Sequence, residues 1–442
     1  MRLSIYMPAS LSVGESQNRD HSALRSARIV AFALLSIAAL FAPIPAMEQP
    51  VSSTAARHKL LVLSIDGLDW RYIKQGDAFH LRIPNIRRLM REGSWADGVV
   101  GVYPSVTWPS HTTLITGVIP NVHGILGNRR PRAAGGDYYW SSDLLKAPTL
   151  WQAAKNQGLT TASVTWPVTT GADITYDLPE YFMRRNGGSM DLASVASRST
   201  TGLVEAISAE YPSFPQQWVD DRTRALAVLY LLKARQPDLL LAHMVDLDSE
   251  EHDQGPFATN AFAIMERTDE LIGQIVAALP KGYDFALVSD HGFERMDNDA
   301  NLKVLLQQHG ITGDLEVLSG LVATTDPKVA DFLREAAHDP ANKIGREIPH
   351  EEVVRYAPQL AATVAAFEPT ENTAFGRKAD GPFLTPPPEK GDHGLWPTHA
   401  GYRSVFVTWG PGIRHSEGPE IQMTGIAAKL AALAGVRFPV QP

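Results

Sequence analysis

The sequence predicts an α/β fold in which a mostly parallel central sheet carries helices on both faces. Three observations predict it. Short, fully apolar runs recur along the chain, as strands buried on both faces require. Helix-patterned stretches separate them, the alternation expected of a parallel sheet. The 442 residues, 44% hydrophobic and 20% charged, have the balance of a globular chain able to bury a large core. At about 150 residues per domain the length suggests roughly three units, although one α/β domain with insertions also reaches this size.

The strand-like runs are residues 60–65, 161–165, 239–245, 285–289 and 404–408. The helix-like stretches are 84–92, 149–157, 220–235, 259–279 and 301–309. Residues 292–390 are less regular and read as a cap or insert. Within them begins a Pro/Gly-dense surface loop, 380–394. No internal repeat and no domain linker is visible. The N-terminus reads as a secretory signal peptide over residues 1–46. Arg19, Arg25 and Arg28 precede the apolar run 29–42, which ends in small and proline residues up to Ala46. That run is short of the roughly 20 residues of an easy membrane span. The expectation is a secreted or periplasmic protein whose mature part, 47–442, has no stable membrane span.

Cysteine is absent, which excludes disulfides, thiolate metal sites and cysteine nucleophiles. The 14 histidines and 48 acidic residues remain as metal donors, suited to zinc, manganese and similar ions. A net charge of −8 argues against a nucleic-acid-binding surface.

Ligands of open α/β sheets bind beyond the carboxyl ends of the strands. Four clusters of aspartate and histidine fall there. Asp66 follows the first run; Asp246, Asp248 and His252 follow the third; Asp290 and His291 follow the fourth; His393 and His399 precede the fifth. So many carboxylates and imidazoles on one rim need cations to neutralise them, and two metal ions account for the count. Thr107 stands just before Pro109, which suits the first turn of a helix. It is either an ordinary N-cap or a nucleophile at a helix N-terminus that favours an oxyanion.

The motifs SIDGL (64–68), TWPSHTTLITG (107–117), HGILGN (123–128), DSEEH (248–252), SDHGF (289–293) and GDHG (391–394) complete the picture. In this order they resemble the alkaline phosphatase superfamily, and within it the nucleotide pyrophosphatase/phosphodiesterase family. The resemblance implies an alkaline-phosphatase-like catalytic domain over 47–442 and a pair of zinc ions. It places Asp66, Thr107, Asp290 and His291 around one ion, and Asp248, His252 and His393 around the other. His393 is taken over His399 because it carries the matching His-Gly pair. Asn128 corresponds to the family's phosphoryl-contacting asparagine. A sulfatase would need a modified Cys or Ser followed by Pro-Ser-Arg, which Thr107-Trp108-Pro109-Ser110-His111 lacks.

The implied activity is a zinc-dependent hydrolase that cleaves phosphodiester or nucleotide pyrophosphate bonds of small molecules through a phospho-threonine. A phosphomonoesterase or phosphonate hydrolase of the same superfamily is the alternative. A non-catalytic binding protein is disfavoured by the presence of every nucleophile and ligand position. Trp108 is a candidate surface for a base or other flat group, with Tyr176 and Tyr181 as candidates for the facing wall. His111, His123 and His243 are expected to hydrogen-bond structurally. Arg129, Arg130 and Arg132 read as a solvated basic loop. Glu250 and Glu251 stand where the family has small residues, adding negative charge near the site.

Overall fold

The computed structural model describes residues 59–182, 190–214 and 217–439. The expected signal peptide lies outside them. Among the described residues, no helix is long and apolar enough to cross a membrane.

Eight strands form the central sheet: Lys59–Ile65 (β1), Ser94–Ala96 (β2), Thr161–Val164 (β3), Tyr176–Leu178 (β4), Leu239–Met244 (β5), Tyr283–Val288 (β6), Phe406–Trp409 (β7) and Ser416–Gly418 (β8). Their spatial order is β8-β2-β7-β6-β1-β5-β3-β4. The pairs from β6 through β1, β5 and β3 to β4 are parallel. Only β7 runs the other way, antiparallel to both β6 and β2. The five expected runs are the five inner strands of this order apart from β2. The edge strands β4 and β8, and β2, are three residues each. Segments so short carry no readable hydrophobic period.

Strand β1 shows why the fold needs two helical layers. Its side chains alternate between faces, and both sets are buried. Leu61, Leu63 and Ile65 join one core with residues of the helices Pro84–Glu92 (α1), Asp221–Ala234 and Thr259–Ala277. Leu60 and Val62 join the other core with Thr107–Thr116 (α2), Leu150–Asn156 (α3) and Ile426–Leu433. Local chemistry starts these helices. Pro84 occupies the first turn of α1, and Thr149 with Gln152 forms a reciprocal capping box before α3.

Between β6 and β7 the chain builds a second, antiparallel sheet from Glu316–Leu318, Leu321–Thr324, Ile344–Glu347 and Ala365–Pro369. Val322, Phe367 and Leu333, the last from helix Pro327–Ala336, share a separate small core.

The direction of β7 positions the site. The other inner strands deliver their following residues to one rim. Antiparallel β7 instead receives its preceding residues from that rim, which brings the His393 loop beside Asp66 and Asp290.

Candidate active site

Asp66 is the first residue beyond β1, and Gly67 turns the chain away at φ +71°. A Cβ at Gly67 would meet Glu251 Oε2 at 2.8 Å and the Phe293 ring at 3.0 Å, so both the left-handed backbone and the space favour glycine. The Gly67 N–H donates to Asp290 Oδ1 at 3.2 Å, tying the ends of two neighbouring strands together. His291 Nε2 then lies 3.2 Å from Asp66 Oδ1 and 3.1 Å from Asp290 Oδ2. A second group adjoins the first. Asp248 Oδ1 lies 3.6 Å from both His252 Nε2 and His393 Nε2. The rings of His291 and His393 stack with centroids 3.9 Å apart, so the two groups touch.

Donor atoms of Asp66, Asp290 and His291 lie within 4.8 Å of one another, as do those of Asp248, His291 and His393. Asp66 Oδ1, Asp290 Oδ2, Asp248 Oδ1, His291 Nε2 and His393 Nδ1 are buried without a hydrogen-bond partner. A buried unsatisfied polar group costs about 1–3 kcal/mol, more when charged. Five in one place, all from oxygen and imidazole donors, fit divalent cations such as zinc.

The electrostatics agree. Burial, reinforced by the charge of Asp66, pushes Asp248 up to about 7. Burial and then Asp66 likewise raise Asp290 well above the carboxylate range. Burial acts in the same direction on Asp66, but its hydrogen bond with His243 and the close approach of the His291 imidazole outweigh it and hold Asp66 well below its ordinary value.

Helix α2 begins at Thr107, after Val106 in extended conformation. Thr107 is thus the first helical residue rather than the residue before the helix, and Pro109 falls third. Trp108 N–H donates to Asn128 Oδ1 at 3.0 Å, which orients the amide and leaves Asn128 Nδ2 as its donor. Pro109 has no N–H, so Thr107 supplies the free backbone donor at this end of the helix.

Asp66, Asp248, His252 and His393 line a cavity of about 510 Å3 together with Thr107, Trp108 and Asn128. Trp108 forms an aromatic wall with Tyr138, ring centroids 4.7 Å apart. The remaining apolar lining includes Phe182, Met190 and Trp218, not Tyr176 or Tyr181. Tyr176 lies on the edge strand β4 beneath the Arg235 guanidinium, and Tyr181 packs on Trp140. The sequence offered two tyrosines near the right strand end, but neither reaches the cavity.

Four further histidines have partners of their own. His111 joins Thr107 O and Ser64 Oγ, each at 2.9 Å. His123 contacts Thr113 Oγ1 at 3.1 Å and receives the Ile125 N–H. His243 bridges Asp66 and Glu180. His399 pairs with Glu368 at 2.6 Å, in the second sheet. Glu251 does not add its charge to the cavity: it is buried and accepts from Tyr72 Oη at 2.7 Å, and burial raises its carboxyl well above the usual range.

Arg129 is exposed and stacks on Tyr138, with its guanidinium 4.2 Å from the ring centroid. The buried arginine that does line the cavity is Arg224, which the sequence reading passed over. Its Nη1 lies 3.0 Å from Asp221 Oδ1 and 3.6 Å from Asp246 Oδ1, so its charge is balanced locally. The available signal was an arginine inside an otherwise apolar helix stretch, DRTRALAVLYLL.

Known proteins are similar to this chain. Human ectonucleotide pyrophosphatase/phosphodiesterase family member 1 is 23% identical over 383 residues, covering 80% of this chain and 37% of that protein. Member 7 from Homo sapiens is 24% identical over 288 residues, covering 60% of this chain and 55% of the relative. Venom phosphodiesterase 2 of Crotalus adamanteus is 25% identical over 254 residues, covering 54% and 27%. The alignments therefore span less than two thirds of these relatives. In three dimensions the chain is similar to murine ectonucleotide pyrophosphatase/phosphodiesterase 5, with a TM-score of 0.60 and 19% identity over 87% of this chain and 96% of that one. This likeness shows the alkaline-phosphatase-like α/β fold. The sequence profile described as Type I phosphodiesterase / nucleotide pyrophosphatase matches residues 60–376, a stretch that holds the Asp66 turn, Thr107 at the head of α2 and the clusters after β5 and β6. By that match the chain belongs to the Type I phosphodiesterase / nucleotide pyrophosphatase family.

Proposed function

We propose that this protein hydrolyses phosphodiester or nucleotide pyrophosphate bonds of small molecules, with Thr107 as nucleophile. One observation carries the reading: Thr107, at the start of a buried helix, shares a cavity with two adjoining groups of Asp and His donors. Zinc held by Asp66, Asp290 and His291 with Thr107, and by Asp248, His252 and His393, would supply Lewis acidity to the attacking and leaving oxygens. The Thr107 hydroxyl oxygen bonds to phosphorus as it gives up its proton, and the ester bond to the departing alcohol breaks. Water then cleaves the phospho-threonine, releasing phosphate monoester and restoring the hydroxyl. Asn128 Nδ2 and the Thr107 N–H are the donors for a non-bridging oxygen.

The cavity favours a diester over a monoester. A monoester brings a second negative charge, for which a site usually adds a cation beyond its metals. Arg129 lies outside the cavity, and Arg224 is already matched by Asp221 and Asp246. The aromatic wall of Trp108 and Tyr138 suits a second, flat substituent. The solved murine relative is described in complex with AMP, and a nucleoside is the substituent we propose here. Residues 292–390 form an insert between the Asp290–His291 and His393 positions that contributes no residue to the cavity lining, and residues 1–46 direct export to the periplasm or the medium.

Purified full-length protein should contain about two zinc ions per chain and lose hydrolysis on chelation. It should also show a higher kcat/KM for bis-p-nitrophenyl phosphate than for p-nitrophenyl phosphate. Full activity in a preparation shown to be metal-free by elemental analysis would overturn the mechanism. A clear monoester preference would overturn the substrate class.

A further inference from the structure

We infer that Glu180 and His243 act as a positioning pair for Asp66, fixing the carboxylate through which one zinc ion is held; this rests on the two-zinc reading above. His243 is fully buried on β5. Its Nε2 lies 3.0 Å from Asp66 Oδ2, and its Nδ1 lies 3.0 Å from Glu180 Oε2 and 3.1 Å from the Thr165 carbonyl. Glu180 is 4% exposed. The three side chains come from separate strands: Asp66 follows β1, His243 lies on β5 and Glu180 stands two residues beyond β4.

The pair solves a specific problem. Asp66 sits where the chain leaves the sheet, immediately before the left-handed Gly67, so backbone regularity no longer fixes its side chain. The hydrogen bond from His243 occupies Oδ2. That leaves Oδ1, buried and without a hydrogen-bond partner, presented 3.2 Å from His291 Nε2 among the proposed donors. Glu180 in turn meets Nδ1 beside the Thr165 carbonyl and adds a charged partner that holds the imidazole facing Asp66. Partners of this kind, one step removed from the metal, orient the ligands themselves, and their loss commonly costs about 10–100-fold in metal affinity. A pair that merely satisfied its own buried polarity would leave metal affinity alone.

Zinc binding separates the two roles. The full-length chain, freed of metal, is titrated with zinc against a chromophoric chelator, alongside the Glu180→Ala and Glu180→Gln variants. In Glu180→Ala one of the two binding steps should weaken about 10–100-fold while the other stays at its wild-type value. Glu180→Gln keeps an oxygen that accepts from Nδ1, so it should recover most of that loss. Melting of the metal-free proteins shows whether the fold is retained. Two unchanged steps in Glu180→Ala would overturn the inference, and so would equal weakening of both steps with a lowered melting temperature. A wild-type chain that binds no zinc would instead refute the two-zinc reading, and this inference with it.

Discussion

Replacing Asp248 by asparagine should stabilise the metal-free protein at alkaline pH, although it removes a proposed zinc ligand. The Asp248 carboxyl is raised from its ordinary 3.8 to about 7, first by burial and then by the negative charge of Asp66. The folded chain therefore holds this proton more tightly than the unfolded chain does. Below pH 3.8 the carboxyl is neutral in both states and costs nothing. As pH rises from 3.8 to about 7 the unfolded chain ionises and the folded one does not, so stability falls. Above 7 the penalty is constant, and at about 1.4 kcal/mol per pH unit it amounts to about 4 kcal/mol. Asparagine matches the neutral acid in shape and carries no such penalty. The assay is denaturant unfolding of chelator-treated wild type and variant at pH 4 and pH 8. The stability difference should shift in favour of the variant by a few kcal/mol between the two. With zinc present at about 100 times its Kd, the variant's advantage should shrink by about 2.7 kcal/mol, because the metal stabilises only the form that binds it. A variant no more stable than wild type at pH 8 without metal would refute the claim that burial and like charge dominate this site.

Thr107→Ala should lower turnover by several orders of magnitude while zinc content and fold persist, and Thr107→Ser should retain part of the activity. A phosphoryl group trapped by acid quench on any other residue, located by mass spectrometry, would remove Thr107 from the mechanism. Trp108→Ala should cut the preference for a nucleoside p-nitrophenyl ester over bis-p-nitrophenyl phosphate about tenfold, within the roughly 1–3 kcal/mol of base stacking. An unchanged ratio would assign Trp108 to packing alone. Arg129→Ala should leave the diester-to-monoester ratio of kcat/KM unchanged, since its side chain lies on Tyr138 outside the cavity. A collapse of monoester turnover in this variant would show that the arginine reaches substrate.

What could be read from the sequence depended on whether a signal was local. Strand β1 is apolar on both faces because helices cover both, and that leaves a run of leucine, valine and isoleucine broken only by Ser64 between Leu60 and Ile65. Asp66, Asp248, Asp290 and His291 were legible because each stands just beyond such a run. His243 and Glu180 were not, because their meaning lies across strands: Ser64 is the register partner of His243, which sets His243 two residues from Asp66's level. A histidine inside the otherwise apolar LLLAHM was the available hint, since a buried imidazole must find partners. The facing wall was misread for a related reason. Tyr138 and Phe182 reach the cavity from irregular segments, where side-chain direction follows no period.

The reversed direction of β7 also makes the second sheet an excursion that starts and ends at the site. The chain leaves the central sheet through Asp290 and His291 and comes back through His393, so both attachment points are pinned to the same cluster. What lies between is not free-standing, because Leu321, Ala323, Ile348 and Val353 share a core with Val100 and Tyr103 outside it. An engineered replacement would therefore have to rebuild that shared core to keep the His393 loop and the segment leading to Thr107 in place.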